Sequence, residues 1–284
     1  MGKISAKRKA KMSGIILVTL PIGNIEDITT RALNTLKDVQ YIFAEDTRVL
    51  KKLLSDLGVS YENKNINSFH DHSEDHKLNN LIKIARENTI AIVSDAGSPI
   101  ISDPAFPIVQ ASLKEGIKLD SASGVSAVTY ALELSGLAPT PFHFHGFIAR
   151  ESSKKNEAID LFSSQYGTHI FFEGVSRVIK TLEELCAKFK DNDIVVAREL
   201  SKDFQSVYRF KGSEFDSIKD SIVQKGEFVI LINNPSKAIA KSPKLESLAQ
   251  EIISKGAKPK LVAKLLGEIT GDNSKDLYEK IKKS

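Results

Sequence analysis

The chain has 284 residues, enough for two compact domains, with an apolar fraction of 41% and a single cysteine, Cys186. One thiol forms neither an internal disulfide nor a thiolate metal site, which excludes a disulfide scaffold and fits a reducing, cytoplasmic setting. The net charge of +4 conceals an uneven spread: residues 1–13 carry 5 basic and no acidic groups, residues 237–284 carry 11 Lys against 6 Asp or Glu, and the body between them has 24 basic and 30 acidic groups. Basic ends suit a polyanion such as RNA, although solvated tails have the same composition.

In chain order, Lys3, Lys7, Arg8, Lys9 and Lys11 precede the apolar run Ile15–Leu20. The arrangement has the outline of a secretory signal, but the run is short, ends at Pro21 and lacks a small-residue cleavage site, so a buried first strand accounts for it better. No other segment approaches the roughly 20 apolar residues of a membrane span, and a soluble protein without a membrane partner is expected. Further strands are predicted at Tyr41–Ala44, Ile90–Ser94, Ile117–Leu119, Phe142–Phe147, His169–Phe172, Ile194–Ala197 and Phe228–Ile232. Helix-patterned segments alternate with them, which predicts α/β layers on a mixed sheet. Asp27 is the expected N-cap of a helix running to Leu36, and Asp103 caps a second one with Pro104 at its first position. Cys186 falls in a helical pattern where packing is its expected role. Asn233–Pro243 reads as a linker, followed by three amphipathic helices, Leu245–Lys255, Lys260–Ile269 and Ser274–Lys283, with the dimensions of a helix-turn-helix-like module. The expected division is 1–13 as a basic extension, 14–120 and 121–235 as two α/β domains, and 244–284 as the helical module.

Three segments carry most of the chemistry. Pro21-Ile-Gly-Asn24 leaves the first strand, and Gly23 there permits close approach of a ligand, though G-x-G-x-x-G spacing is absent. Glu45-Asp-Thr-Arg48 places charges at the mouth of the second strand, as a salt-bridge cluster or a substrate contact. Ser94-Asp-Ala-Gly-Ser-Pro-Ile-Ile-Ser-Asp-Pro104 forms a loop rich in small residues at the end of the third strand, where open α/β sheets bind ligands. Its carboxylates suit an amino group, and its amides a carboxylate or ribose hydroxyl. Ser68–His76 holds three histidines, His70, His72 and His76, that would suit zinc, but a mobile substrate loop with one histidine accepting a proton is the preferred reading, and no metal is expected. In the second half, Ser123-Gly-Val-Ser126, Gly146-Phe-Ile-Ala-Arg150, Phe171-Phe-Glu-Gly174 with Arg177, Ala197-Arg-Glu-Leu-Ser-Lys202 and Lys225-Gly-Glu-Phe228 are polar turns at strand ends.

Taken in order, Pro21-Ile-Gly-Asn24, Ala44-Glu-Asp-Thr-Arg48, His70-Asp-His72, Ser94-Asp-Ala-Gly97 through Ser102-Asp-Pro104, Gly146-Phe147, Ala197-Arg-Glu-Leu200 and Lys225-Gly-Glu-Phe228 resemble the small-subunit ribosomal RNA methyltransferase I branch of the tetrapyrrole methylase superfamily. The resemblance implies a two-domain α/β tetrapyrrole-methylase-like fold with the cofactor in the interdomain cleft. It further implies a homodimer and S-adenosylmethionine-dependent 2′-O-methylation of a cytidine in the decoding centre of 16S rRNA within the small ribosomal subunit. Carried over by motif, cofactor contacts fall to Pro21, Ser94, Asp95, Ala96, Gly97, Ile101 and Ser102, then Ser126, Phe147 and Glu227. RNA contacts fall to Arg48, Arg150, Arg177, Arg198, Glu199 and Lys202, and the proton acceptor to His70, His72 or Glu173. Three turns depart from the family pattern. Ser123-Gly-Val-Ser126 stands for Pro-Gly-Pro-Ser, Gly146-Phe-Ile-Ala-Arg150 for Gly-Phe-Leu-Pro-Arg, and Phe172-Glu-Gly-Val-Ser-Arg177 for Tyr-Glu-Ser-Pro-His-Arg. Two alternatives stay open on sequence: a methylase of corrinoid or porphyrinoid precursors, and a non-catalytic RNA-binding assembly factor.

Overall fold

The computed structural model describes residues 13–69, 75–235, 243–270 and 273–283. They divide into two compact units, Met1–Tyr130 with Glu199–Gln205, and Ala131–Arg198 with Ser206–Ser284. The sequence division at residue 120 falls ten residues before this boundary, and the short return segment Glu199–Gln205 was not foreseen.

The first unit is a five-stranded parallel sheet: β1 Gly14–Val18, β2 Tyr41–Ala44, β3 Asn65–Ser68, β4 Thr89–Val93 and β5 Leu119–Ala122. Its order is β3-β2-β4-β1-β5. Strands buried on both faces read as continuous apolar runs, and β4 shows why: Ala91 and Val93 enter one core, Ile90 and Ile92 the other. The first core packs beneath α1 Thr30–Asp38 and α2 Thr47–Asp56; the second lies under α3 Asp75–Glu87 and α4 Phe106–Lys114. The edges are polar. β3 is Asn-Ile-Asn-Ser, and Asp120 of β5 is ion-paired with Arg31 of α1 at 2.6 Å.

Two helix starts differ from expectation. The N-cap of α1 is Thr29, whose hydroxyl accepts from the Ala32 amide, because Ile25–Asp27 forms a 3₁₀ turn capped by Asn24 and draws Asp27 away from the helix. α4 starts two residues later than expected, after Ala105 and without a side-chain cap. The Ala105 amide instead donates to the Pro99 carbonyl, so Asp103 and Pro104 belong to a folded loop.

In the second unit, β6 Phe142–Phe147, β7 Gly167–Glu173, β8 Asp193–Arg198, β9 Ser206–Lys211 and β10 Phe228–Asn234 form a mixed sheet in the order β6-β7-β10-β8-β9. Only β6 and β7 are parallel. α5 Ala127–Ser135 spans the boundary between the units. α6 Ser152–Ser164, α7 Val178–Lys188 and the single turn α8 Phe215–Ile218 contribute Phe162, Leu182, Cys186 and Phe215 to one core with Phe171, Ile194 and Ile230. Cys186 packs there as expected, and burial raises its thiol pKa to about 12. α9 Pro243–Ser254, α10 Pro259–Thr270 and α11 Ser274–Lys283 have a small core of their own around Ala249, Val262 and Leu266. Asn233 and Asn234, read as the start of the linker, complete β10.

Period-two alternation sends His169, Phe171 and Glu173 of β7 to one face. His169 stacks against both His143 and His145, with ring centroids 5.0 and 5.2 Å away. The Gln165 carbonyl lies 3.0 Å from His169 Nε2 and can only accept, so that nitrogen carries the proton. The bare Nδ1 then accepts from His145 Nε2–H at 2.9 Å. Burial, reinforced by the neighbouring imidazoles, lowers the His145 pKa to about 4, and burial also lowers that of His169. Since the folded values lie below the unfolded ones, the unfolded chain binds more protons once the pH drops beneath about 6.5. Stability is therefore expected to be level above that pH and to fall toward pH 4. The thermal midpoint measured across this range should decline for the natural protein and less steeply for His145→Phe; parallel profiles would remove the imidazole pair as the cause.

Candidate methyl-donor and substrate site

In the first unit, the connection leaving β1 crosses toward β2, and the one leaving β4 crosses the other way toward β5. Adjacent strands whose connections run in opposite directions and leave to opposite faces of the sheet define a topological switch point, the usual ligand position at the carboxyl end of an open sheet. Pro21-Ile-Gly-Asn24 and Ser94-Asp-Ala-Gly97 meet there. The Leu20 amide donates to the Gly97 carbonyl at 2.9 Å and the Gly97 amide returns the bond at 3.1 Å. Gly97 takes a left-handed φ of 69°, and Ser102 further along has one of 65°. Ser94 is buried, its hydroxyl donating to the Ala96 carbonyl, whereas Asp95 and Ala96 are exposed. Pro21 is buried behind the turn; Ile101 and Ser102 are exposed.

Carboxylates ring this point. The Asp46 amide donates to Asp95 Oδ1 at 3.0 Å and the Asp95 amide to Glu45 Oε2 at 3.4 Å, which ties the ends of β2 and β4 together. Arg48 grips Asp46 through Nε and Nη2, the latter at 2.6 Å, and this hydrogen bonding holds the Asp46 carboxyl well below the usual carboxylate range. Arg48 itself has 89% of its side chain exposed. The salt bridge expected in Glu45-Asp-Thr-Arg48 is thus formed between Arg48 and Asp46, with the rest of the guanidinium facing solvent.

The return segment Glu199–Gln205 closes the other side of the β1 turn. The Asn24 amide donates to Ser201 Oγ at 2.9 Å, and the Ser201 hydroxyl donates to Asp27 Oδ2. Glu199 and Lys202 are ion-paired at 2.9 Å. A Cβ added at Gly23 would lie 2.5 Å from Lys202 Cγ and 2.9 Å from the Leu200 carbonyl oxygen, so the absence of a side chain is what lets this segment approach.

The remaining sequence-predicted residues are more dispersed. Ser126 accepts from the Tyr130 amide in the first turn of α5. In the second unit Phe147 is exposed and packs edge-on against Phe172; Arg150 and Glu227 are exposed. Arg198 is buried, with Nε donating to the Lys225 carbonyl at 2.6 Å, a placement that makes it a support for the β8 end rather than an RNA contact. Glu173 departs most from its expected role. Its side chain is 0% exposed; Oε1 accepts from the Gly174 amide at 2.7 Å and pairs with Arg177 at 2.5 Å, while Oε2 accepts from Thr181 Oγ1 at 2.7 Å. A proton acceptor must reach its substrate, and this carboxylate is enclosed and engaged on both oxygens. Arg177 is correspondingly committed to Glu173. His70 and His72 lie outside the described residues. No cluster that could hold a metal occurs among the described residues.

The tetrapyrrole (corrin/porphyrin) methylase profile matches residues 14–216, from β1 into α8. Proteins named ribosomal RNA small subunit methyltransferase I are 35% identical in Streptococcus pyogenes, over 97% of this chain and 96% of theirs, and 33% identical in Haemophilus influenzae, over 94% and 96%. The chain belongs to this methylase family. Solved structures share its fold: a diphthine synthase at TM-score 0.62 and 15% identity, covering 79% of this chain and 90% of the other, and a cobalt precorrin-4 methyltransferase at 0.57 and 16%, covering 77% and 93%.

For a methylase, the chemistry of the switch-point donor set is coherent. Asp95 and Glu45 bring carboxylates to strand ends where a ligand carrying an ammonium and a sulfonium would sit, and the exposed backbone at Asp95 and Ala96 offers amides and carbonyls beside them. The residues present fit S-adenosylmethionine. Sequence reasoning did not single out Asn24 and Asp27 as anchors, nor Ser201 as the residue they hold. Their only signal was the spacing of polar residues around two turns nearly 180 positions apart.

Proposed function

We propose that the chain transfers a methyl group from S-adenosylmethionine to the ribose 2′-hydroxyl of a cytidine in the decoding centre of 16S rRNA. The observation carrying this reading is the match along nearly the whole chain to proteins named ribosomal RNA small subunit methyltransferase I. The switch-point geometry supplies a physical basis for the donor site. Pro21, Ser94, Asp95, Ala96, Gly97, Ile101 and Ser102 are proposed to hold the donor, with Ser126, Phe147 and Glu227 contributing from elsewhere. Bound S-adenosylmethionine supplies a methyl already activated by its sulfonium. The protein must then align a ribose oxygen, exclude water and accept one proton; alignment contributes about 7–11 kcal/mol and a base about 10²–10⁴-fold in rate. The base is proposed to be His70 or His72, since Glu173 is enclosed. Arg48, Arg150 and the Glu199–Lys202 segment are proposed for the RNA side. The working form is proposed to be a cytoplasmic homodimer acting on the small ribosomal subunit.

Labelled methyl transfer to small subunits and to naked rRNA, with nuclease mapping of the product, tests the reading. The label should reside on a single cytidine and survive alkaline hydrolysis of its neighbours. His70→Ala or His72→Ala should lower the rate about 10²-fold or more at saturating donor. Unchanged rates in both variants would refute the base assignment, and label appearing on a base instead of a ribose would refute the reaction.

A further inference from the structure

Packing accounts for only one side of the C-terminal helices. In α10, Val262, Ala263, Leu266 and Thr270 are buried, and Leu277 and Ile281 of α11 pack against the same small core. The opposite arc of α10 is left to solvent: Lys260, Leu261, Lys264 and Leu265 recur at helical spacing, with the two leucines 66% and 57% exposed. Lys258 extends this arc from the position before the helix, where its carbonyl accepts from the Leu261 and Val262 amides at 2.9 and 3.2 Å.

These lysines sit where they weaken the helix. A hydroxyl or carboxylate side chain is preferred at the position of Lys258, and acidic residues are preferred in the first turn, where α10 has none. Lys260 and Lys264, four residues apart and both exposed, repel each other. Helix stability therefore does not explain the charge. The methylase profile does not reach it either, ending at residue 216, whereas the relatives named ribosomal RNA small subunit methyltransferase I match 97% of the chain and so extend into the module.

Residue types decide what such a surface can recognise. Residues 237–284 hold 11 Lys, no Arg and one aromatic residue, Tyr278, whose ring lies beneath Lys282. Guanidinium forks and open aromatic faces, the usual means of reading bases, are missing from this set, while compact ammonium charges suit phosphate. We propose that Lys258, Lys260 and Lys264 anchor the enzyme on the phosphate backbone of ribosomal RNA without reading base sequence, with Leu261 and Leu265 lying against the sugars between them. The inference rests on the RNA methylation reading above and separates two tasks: the anchor supplies affinity, and the choice of nucleotide is made elsewhere.

The full-length Lys258→Gln, Lys260→Gln, Lys264→Gln triple variant would be compared with the Arg triple at the same positions. A second Gln triple, at Lys83, Lys114 and Lys118, removes the same charge from exposed positions of the first unit. The readouts are affinity for protein-free small-subunit rRNA as a function of salt, S-adenosylmethionine affinity and the thermal midpoint. In the α10 Gln triple, rRNA binding should weaken on the order of 10-fold to 100-fold at physiological salt, and the slope of log affinity against log salt should flatten by about 2–3. The Arg triple and the Lys83 set should stay near natural, donor affinity should hold in all three, and the midpoint of the α10 Gln triple should not fall. Natural rRNA affinity in that triple would overturn the proposal, and an equal loss in the Lys83 set would overturn it by assigning the effect to overall charge. Preference of the natural protein for anionic phospholipid vesicles over rRNA would overturn it in favour of a lipid surface. The expected binding pattern without methyl transfer to small subunits removes the methylation reading alone, whereas methyl transfer with an unaltered triple removes the anchor alone.

Discussion

Gly23→Ala is expected to lower affinity for S-adenosylmethionine by roughly 10-fold or more and to reduce the thermal midpoint. The added methyl would meet Lys202 Cγ at 2.5 Å, the Leu200 carbonyl oxygen at 2.9 Å and the Ser201 carbonyl carbon at 3.0 Å. Two of the three obstacles are backbone, so no rotamer change clears them. Either the Glu199–Gln205 segment retreats, breaking the Asn24 and Asp27 bonds to Ser201, or the Pro21–Asn24 turn shifts away from its place beside Gly97. Overpacking of this kind costs about 1–3 kcal/mol, and a donor site built on that turn loses affinity at about 1.4 kcal/mol per factor of ten. Gly97→Ala is the useful contrast. Its nearest new contact, Ile22 Cγ2 at 3.4 Å, is ordinary, leaving only the left-handed φ as a penalty. Calorimetric titration with the donor should rank Gly23→Ala below Gly97→Ala. The opposite order, or natural affinity in Gly23→Ala, would show that the return segment does not brace the donor loop.

The parallel half of the fold was legible because doubly buried strands are continuous apolar runs: Tyr41–Ala44 appears in the structure with the expected bounds, and the third predicted strand is displaced by one residue. Edge strands were missed, as β3 was, or displaced, as β5 was from the predicted Ile117–Leu119 to Leu119–Ala122, for the converse reason. β3 has one apolar residue, Ile66, and the pattern of β5 is masked because Ile117, the most apolar residue nearby, is buried before the strand begins. β9 does alternate, with Tyr208 and Phe210 turned to the core, but the alternation is short and carries charged residues on its other face, and no strand is predicted there.

Of the candidate site, the meeting of two small-residue turns at strand ends, Pro21-Ile-Gly-Asn24 and Ser94-Asp-Ala-Gly97, was legible from their composition. The rest was illegible where it depends on a contact between distant turns. Nothing at position 27 announces that its carboxylate will clasp Ser201 instead of capping α1. The converse error occurred at Arg198 and Glu173: charged residues at strand ends look functional in sequence, and only burial and partners separate a support from a reagent.

Glu173 allows that distinction to be measured. Removing one member of a buried pair leaves the partner groups uncompensated, at about 3–5 kcal/mol, with the lower end expected because Arg177 retains 27% side-chain exposure. Glu173→Ala leaves the Gly174 amide and Thr181 hydroxyl without their acceptor. Glu173→Gln is not a neutral replacement, since its amide nitrogen must face one of the groups that now donates to the carboxylate. Both variants should unfold at markedly lower temperature or denaturant concentration. Under conditions where they remain folded, both should retain a methyl-transfer rate within a few-fold of natural and an unshifted pH–rate profile. A base would give the reverse, with natural stability, a turnover loss of roughly 10²-fold or more and an altered profile. The enclosed geometry predicts the first pattern, because a carboxylate sealed from solvent and held by an amide, a hydroxyl and a guanidinium is out of reach of a ribose hydroxyl.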